Sequence, residues 1–130
     1  MGTFSQRIAL APIAGERFRA VEALVDTGAT YTWIPRPILE ELGITPQEQA
    51  TFVLADGREA AYDIAQIRVR SNGRERFTIC VFDEQGTEAL LGVVTLQEFG
   101  LGVDPLNERL IPVRGYLLKG RGWLGGKKRQ

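Results

Sequence analysis

Residues 24–33 read Leu-Val-Asp-Thr-Gly-Ala-Thr-Tyr-Thr-Trp. An apolar run, Ala23-Leu24-Val25, stops at a short acid, and a hydroxyl residue and a glycine follow it. Asp and Gly favour turns, so Asp26-Thr27-Gly28 reads as a tight polar loop at the end of a buried strand. Upstream, Thr3–Ala11 alternates loosely and predicts a strand, and Pro12 to Gly15 predict a turn. Arg17–Val25 predicts a second strand, half-exposed at first and buried at its end. Downstream, Tyr31–Ile34 is β-prone. Past Pro35 and Pro37, Ile38–Leu42 predicts a short helix that stops at Gly43.

The rest of the chain repeats this short-strand grammar. Thr51–Ala55 and Ala60–Arg70 predict strands joined at Asp56-Gly57, a dipeptide typical of two-residue hairpins. Asn72-Gly73 predicts a second hairpin leading into Phe77–Phe82. Ala89-Leu90-Leu91-Gly92 is apolar up to its glycine, and Val93–Phe99 is long enough for two turns of helix. Leu101–Asp104 and Arg109–Val113 flank Pro105-Leu106-Asn107-Glu108 as a final hairpin. Many short strands with only two short helices predict an all-β fold, a closed barrel or sandwich.

Composition narrows the chemistry. The chain has 130 residues, one cysteine and no histidine. That length suits one domain with a core of its own. Without histidine, Ser-His and Cys-His nucleophilic machinery is excluded, and so are the usual zinc sites. Carboxylates are the main acid–base groups left near neutral pH. No metal or cofactor is expected. Cys80 cannot form an internal disulfide and reads as a small buried hydrophobe. No apolar run approaches the roughly 20 residues of a membrane span. Met1–Arg7 lacks a signal-peptide layout, so a cytoplasmic protein with no membrane partner is expected.

Charge is uneven. Net charge is zero, yet Arg114, Lys119, Arg121, Lys127, Lys128 and Arg129 lie in a Gly-rich end without acids. Residues 1–113 are therefore expected to form the domain, and 114–130 a solvated basic tail. Because the basic cluster is confined to that tail, no nucleic-acid partner is expected.

A lone Asp-Thr-Gly means little, but its surroundings add to it. A buried strand leads in. About 30 residues later comes a hairpin suited to cover a cleft, and further on Leu90-Leu91-Gly92 precedes a helix. With these features the chain resembles the retroviral-type (retropepsin-like) aspartic proteases, and more narrowly their small prokaryotic relatives. Leu24–Pro35, the hairpin around Gly57 and Leu90–Pro105 carry the resemblance, which spans roughly residues 5–112. It implies a closed acid-protease barrel, a single retropepsin-like lobe, with a short helix on its C-terminal side. It further implies a homodimer that hydrolyses a peptide or protein substrate, because each subunit gives only one Asp-Thr-Gly loop.

The roles it implies are specific. Asp26 is the catalytic carboxylate, Thr27 interlocks the two loops, Gly28 is the close-approach position, and Ala29 completes the loop. Asp56 and Gly57 fall at the flap tip. Leu90, Leu91 and Gly92 support the loop from beneath. Retroviral members also pair an Asp four positions after the catalytic one with an Arg directly after the apolar-apolar-Gly. Here those positions are Thr30 and Val93, so both charges are missing together. A non-catalytic peptide-binding or scaffold module with the same fold is the alternative reading. Tyr31 and Trp33 are expected to fill the core or the subunit interface rather than line a pocket. Tyr62 is expected to pack across strands, and Asp104, like Asp56, to serve a turn.

Overall fold

The computed structural model describes residues 4–113. Positions 114–130, expected as the basic tail, lie outside the described residues. The strands are β1 (Phe4–Ala11), β2 (Arg19–Val25), β3 (Thr32–Pro35), β4 (Glu48–Val53), β5 (Glu59–Ser71), β6 (Arg74–Asp83), β7 (Ala89–Leu91), β8 (Leu101–Asp104) and β9 (Arg109–Pro112). Helix α1 covers Arg36–Glu41 and α2 covers Val93–Phe99.

One sheet runs in the order β1-β2-β7-β3-β6-β5-β4, and β1 also pairs with β5. That extra pairing closes six strands into a barrel and leaves β4 attached outside it, along β5. The all-β closed barrel expected from the sequence is therefore the fold. Two pairings are parallel, β2 with β7 and β3 with β6. Both join segments far apart in sequence, and they place the loop after β2 beside the start of α2.

The barrel interior holds Leu10, Val25, Ile34, Ile67, Val69 and Phe82, each at most 1% exposed. Leu39 of α1 and Leu96 and Phe99 of α2 close it. Period-two alternation supplies this core: Ile67 and Val69 of β5 face in, while Gln66 and Arg70 face out. Cys80 is fully buried, and burial pushes its thiol up to about 12, because the apolar surroundings disfavour a thiolate. Cys80 should therefore stay unmodified by a thiol reagent at pH 8 in the native protein and react only on denaturation. Rapid native labelling would contradict this placement.

Two local expectations need correction. Helix α1 begins at Arg36, two residues before the expected start, with Pro37 inside its first turn. A first-turn N–H has no intrahelical acceptor, so proline costs nothing there. The β4–β5 turn is also longer than two residues. Leu54 N–H donates to Arg58 O at 2.7 Å, and Gly57 N–H donates to Leu54 O at 2.9 Å. Gly57 takes φ 88°, while Asp56 is not among the residues with positive φ. A two-residue type I′ turn needs positive φ at both central positions. Asp56 instead folds its carboxylate back onto the Arg58 N–H at 3.0 Å. Asn72 (φ 51°) and Gly73 (φ 78°) do form the expected two-residue turn.

Among the described residues β8 and β9 pair only with each other, Leu101 opposite Pro112 and Asp104 opposite Arg109. Among the described residues no helix is long and apolar enough to cross a membrane.

Candidate active site

β2 brings the chain to Asp26 along a fixed track. β7 lies parallel to it, with Leu24 opposite Leu90 and Val25 opposite Leu91. The pairing continues one step further, as Asp26 N–H donates to Leu91 O at 3.1 Å. The chain then reverses. Ala29 N–H donates to Asp26 O at 3.0 Å, and Gly28 N–H donates to the Asp26 carboxylate Oδ1 at 2.9 Å. A side chain as short as Asp can reach the amide two residues on, so the acid is held by its own turn. Asp26 is half-buried, and Thr27 and Gly28 form the exposed tip.

The start of α2 holds this turn from beneath. The first N–H groups of a helix have no partner inside it. Here Val93 N–H donates to Ala29 O and Val94 N–H to Thr30 O, both at 2.9 Å. Gly92 N–H donates to Thr32 Oγ1 at 3.1 Å. Each of the four residues Leu91–Val94 thus bonds the segment between Asp26 and Thr32. The ion pair of the retroviral pattern has neutral residues at its two positions, Thr30 and Val93. Neighbouring backbone bonds join loop to helix there, at no cost in buried charge.

Gly92 is buried, and a Cβ on it would lie 2.5 Å from the Tyr31 carbonyl carbon and 2.9 Å from Thr30 O. Its φ of −93° and ψ of 174° suit any residue. Glycine is needed there for close approach, not for backbone freedom.

Above the loop, a cavity of about 260 Å³ opens between β4 and the segment after Asp26. Gly28, Ala29, Tyr31, Trp33, Phe52 and Leu54 are among its walls, and no charged side chain lines it. Tyr31 and Trp33 line this cavity and are half-buried, so they do not fill the core as one of their two expected roles had it. They line it because Phe52 and Tyr62 of the hairpin pack against them. Trp33 and Tyr62 meet edge-on with ring centroids 4.9 Å apart, and Tyr31 and Phe52 at 5.9 Å. Such pairs contribute roughly 0.5–1.5 kcal/mol each beyond area burial, so they pin the arms of the hairpin to the strand that follows the loop.

Asp56 and Gly57 sit at the hairpin tip and do not line this cavity. The Arg58 N–H and guanidinium hold the Asp56 carboxyl below its ordinary value. Asp104 receives the amides of Leu106 and Asn107 in the β8–β9 turn, and its carboxyl is lowered chiefly by the Asn107 side chain. Both acids therefore act in turns. A buried threonine cluster at the root of α2 has no signal in the sequence: Thr32 and Thr78 fall in predicted strand segments and Thr95 in a predicted helix, far apart along the chain.

Residues 13–98 match the profile of the family described as "gag-polyprotein putative aspartyl protease". The chain belongs to this family. The retroviral-type aspartic protease fold also agrees with solved structures. EIAV protease complexed with the inhibitor HBY-793 superposes with a TM-score of 0.58 at 15% identity, over 76% of this chain and 89% of that one. The simian foamy virus (mac) protease in solution gives a TM-score of 0.50 at 20% identity, over 71% and 92%. The foamy viral protease–reverse transcriptase in complex with an RNA/DNA hybrid gives 0.52 at 12% identity; 87% of this chain is covered and 13% of that longer one. No curated protein matches the chain in sequence. In this chain the fold brings Leu90-Leu91-Gly92 beside Asp26-Thr27-Gly28.

Proposed function

We propose that the chain is an aspartic endopeptidase that works as a homodimer, with one Asp26-Thr27-Gly28 loop from each subunit. The observation that carries this reading is the anchoring of Asp26. Its carboxylate is held by the Gly28 N–H at 2.9 Å, and its backbone N–H is tied to Leu91 O at 3.1 Å. An acid fixed this firmly beside an uncharged cavity suits positioned proton transfer.

Two such acids, meeting across a two-fold axis, share one proton, because like charges about 3 Å apart cannot both ionise. The ionised carboxylate takes a proton from a bound water, which attacks the scissile carbonyl. The protonated one stabilises the developing oxyanion and then helps protonate the leaving nitrogen. Thr27 at the exposed tip interlocks the two loops. The hairpin carrying Asp56 and Gly57 covers the bound peptide. One edge of β8 is taken by β9, which fits either a shared sheet rearranged from that of retroviral members whose terminal strand enters it, or a weaker dimer.

Peptide hydrolysis measured against subunit concentration and pH tests this. Specific activity should fall on dilution, because each site needs two chains. The rate should peak on the acid side, since one carboxylate of the pair must stay protonated. A rate still rising above pH 8, or a wild-type chain that shows no turnover between pH 3 and 7 while its peptide binding survives Asp26→Ala, would overturn the proposal. The second result would favour a binding module of the same fold.

A further inference from the structure

A chain of hydroxyl groups runs behind the candidate active site. Thr95 of α2 lies 2.7 Å from Thr32 and 2.8 Å from Thr78, oxygen to oxygen. All three side chains are buried, at 2% exposure or less. Valine has nearly the same shape and would spare the desolvation of a hydroxyl, so packing alone does not call for three threonines here.

The chain leads to one peptide unit. Thr32 Oγ1 accepts the Gly92 N–H at 3.1 Å. The carbonyl of that same unit, Leu91 O, accepts the Asp26 N–H at 3.1 Å. Tilting the Leu91–Gly92 plane therefore moves the acceptor that fixes Asp26. Little room is left on the loop side of that plane either, since a Cβ placed on Gly92 would clash with the Tyr31 and Thr30 backbone. Thr95 has the central place: its hydroxyl is bonded to the same Thr32 oxygen that the Gly92 N–H reaches. Thr78 lies at the far end, where its loss leaves the Thr95–Thr32 bond in place.

We propose that Thr95 is a positioning residue: through Thr32 and the Leu91–Gly92 peptide it holds Asp26 at the angle needed to meet its counterpart. The catalytic consequence rests on the homodimeric endopeptidase reading, whereas the relay itself does not.

The test compares Thr95→Val, Thr95→Ser and Thr78→Val in the full chain. In Thr95→Val, amide hydrogen exchange at Gly92 and Asp26 should speed up at least tenfold more than at core amides of β5. In Thr78→Val those two amides should track the core. With a peptide substrate, Thr95→Val should lower kcat roughly ten- to a hundredfold with little change in KM, as expected for a misplaced reacting group. Its two pH–rate limbs should also draw together, because carboxylates held further apart couple less. Thr95→Ser restores the hydroxyl and should restore both readouts.

Equal exchange effects in Thr95→Val and Thr78→Val would overturn the relay. So would a Thr95→Val variant with wild-type kcat and pH profile. A wild-type chain without peptidase activity would instead sink the endopeptidase reading, and the exchange comparison would still decide the relay.

Discussion

Gly92→Ala should leave a chain that is both unstable and inactive. The added Cβ would lie 2.5 Å from the Tyr31 carbonyl carbon and 2.9 Å from Thr30 O, and both are backbone atoms. No rotamer change can relieve that contact. Either α2 backs away from the loop or the loop is lifted off α2. The bonds from Gly92, Val93 and Val94 to Thr32, Ala29 and Thr30 are then strained or lost together. Overpacking of this kind costs about 1–3 kcal/mol, occasionally more. Turnover should fall by a comparable amount in free energy, since a misplacement of about 1 Å can cost on the order of a hundredfold. Chemical denaturation and peptide hydrolysis measured on one preparation check both parts. A variant with wild-type stability and turnover would show that the loop does not rest on α2 as described.

Asp26→Asn should give the opposite pairing, an intact fold with almost no activity. Asn has the same shape, and its carbonyl oxygen can still accept the Gly28 N–H that Asp26 Oδ1 takes at 2.9 Å. The backbone bonds to Leu91 and Ala29 do not involve the side chain. The amide, however, can neither hold the shared proton nor take one from water. Positioned acid–base catalysis is worth roughly 10²–10⁴-fold, and both subunits lose it at once. Thermal unfolding should scarcely move while hydrolysis falls by at least about a thousandfold. A transition-state mimic of the pepstatin kind should lose most of its affinity. Retained turnover would remove Asp26 from the chemistry.

Much of this fold is legible in the sequence because its turns carry their own chemistry. Asn72-Gly73 announces its hairpin, and the run from Ala23 to Gly28 announces a strand ending in a polar turn. Pro37 misleads, because proline breaks a helix interior but is free at its first turn. Asp56 misleads in a similar way, since its carboxylate prefers to bond the Arg58 amide rather than adopt the positive φ of a two-residue turn. The parallel pairings of β2 with β7 and β3 with β6 leave no local trace, as their partners lie 66 and 48 positions apart. They follow only once the family resemblance is recognised.

The candidate site divides along the same line. Asp26, Thr27, Gly28 and Leu90-Leu91-Gly92 stand out as motifs. The grip of α2 on the loop does not, because it is made by backbone N–H and C=O groups that every residue carries. Thr32, Thr78 and Thr95 are invisible for a different reason. A buried threonine and an exposed one look alike in sequence, and only the fold brings these three within 2.8 Å of one another in series. The aromatic wall is intermediate. Tyr31 and Trp33 are conspicuous, but which way they face depends on Phe52 and Tyr62 of a distant hairpin.

Subunit mixing tests the central claim most directly. Wild-type chain is mixed with Asp26→Asn chain at fixed total concentration, allowed to exchange, and assayed for peptide hydrolysis. If each active site takes one Asp26 from each of two chains, only dimers with two wild-type subunits turn over, and activity falls as the square of the wild-type fraction. Activity that falls in simple proportion to that fraction would mean each chain works alone, and would contradict the account.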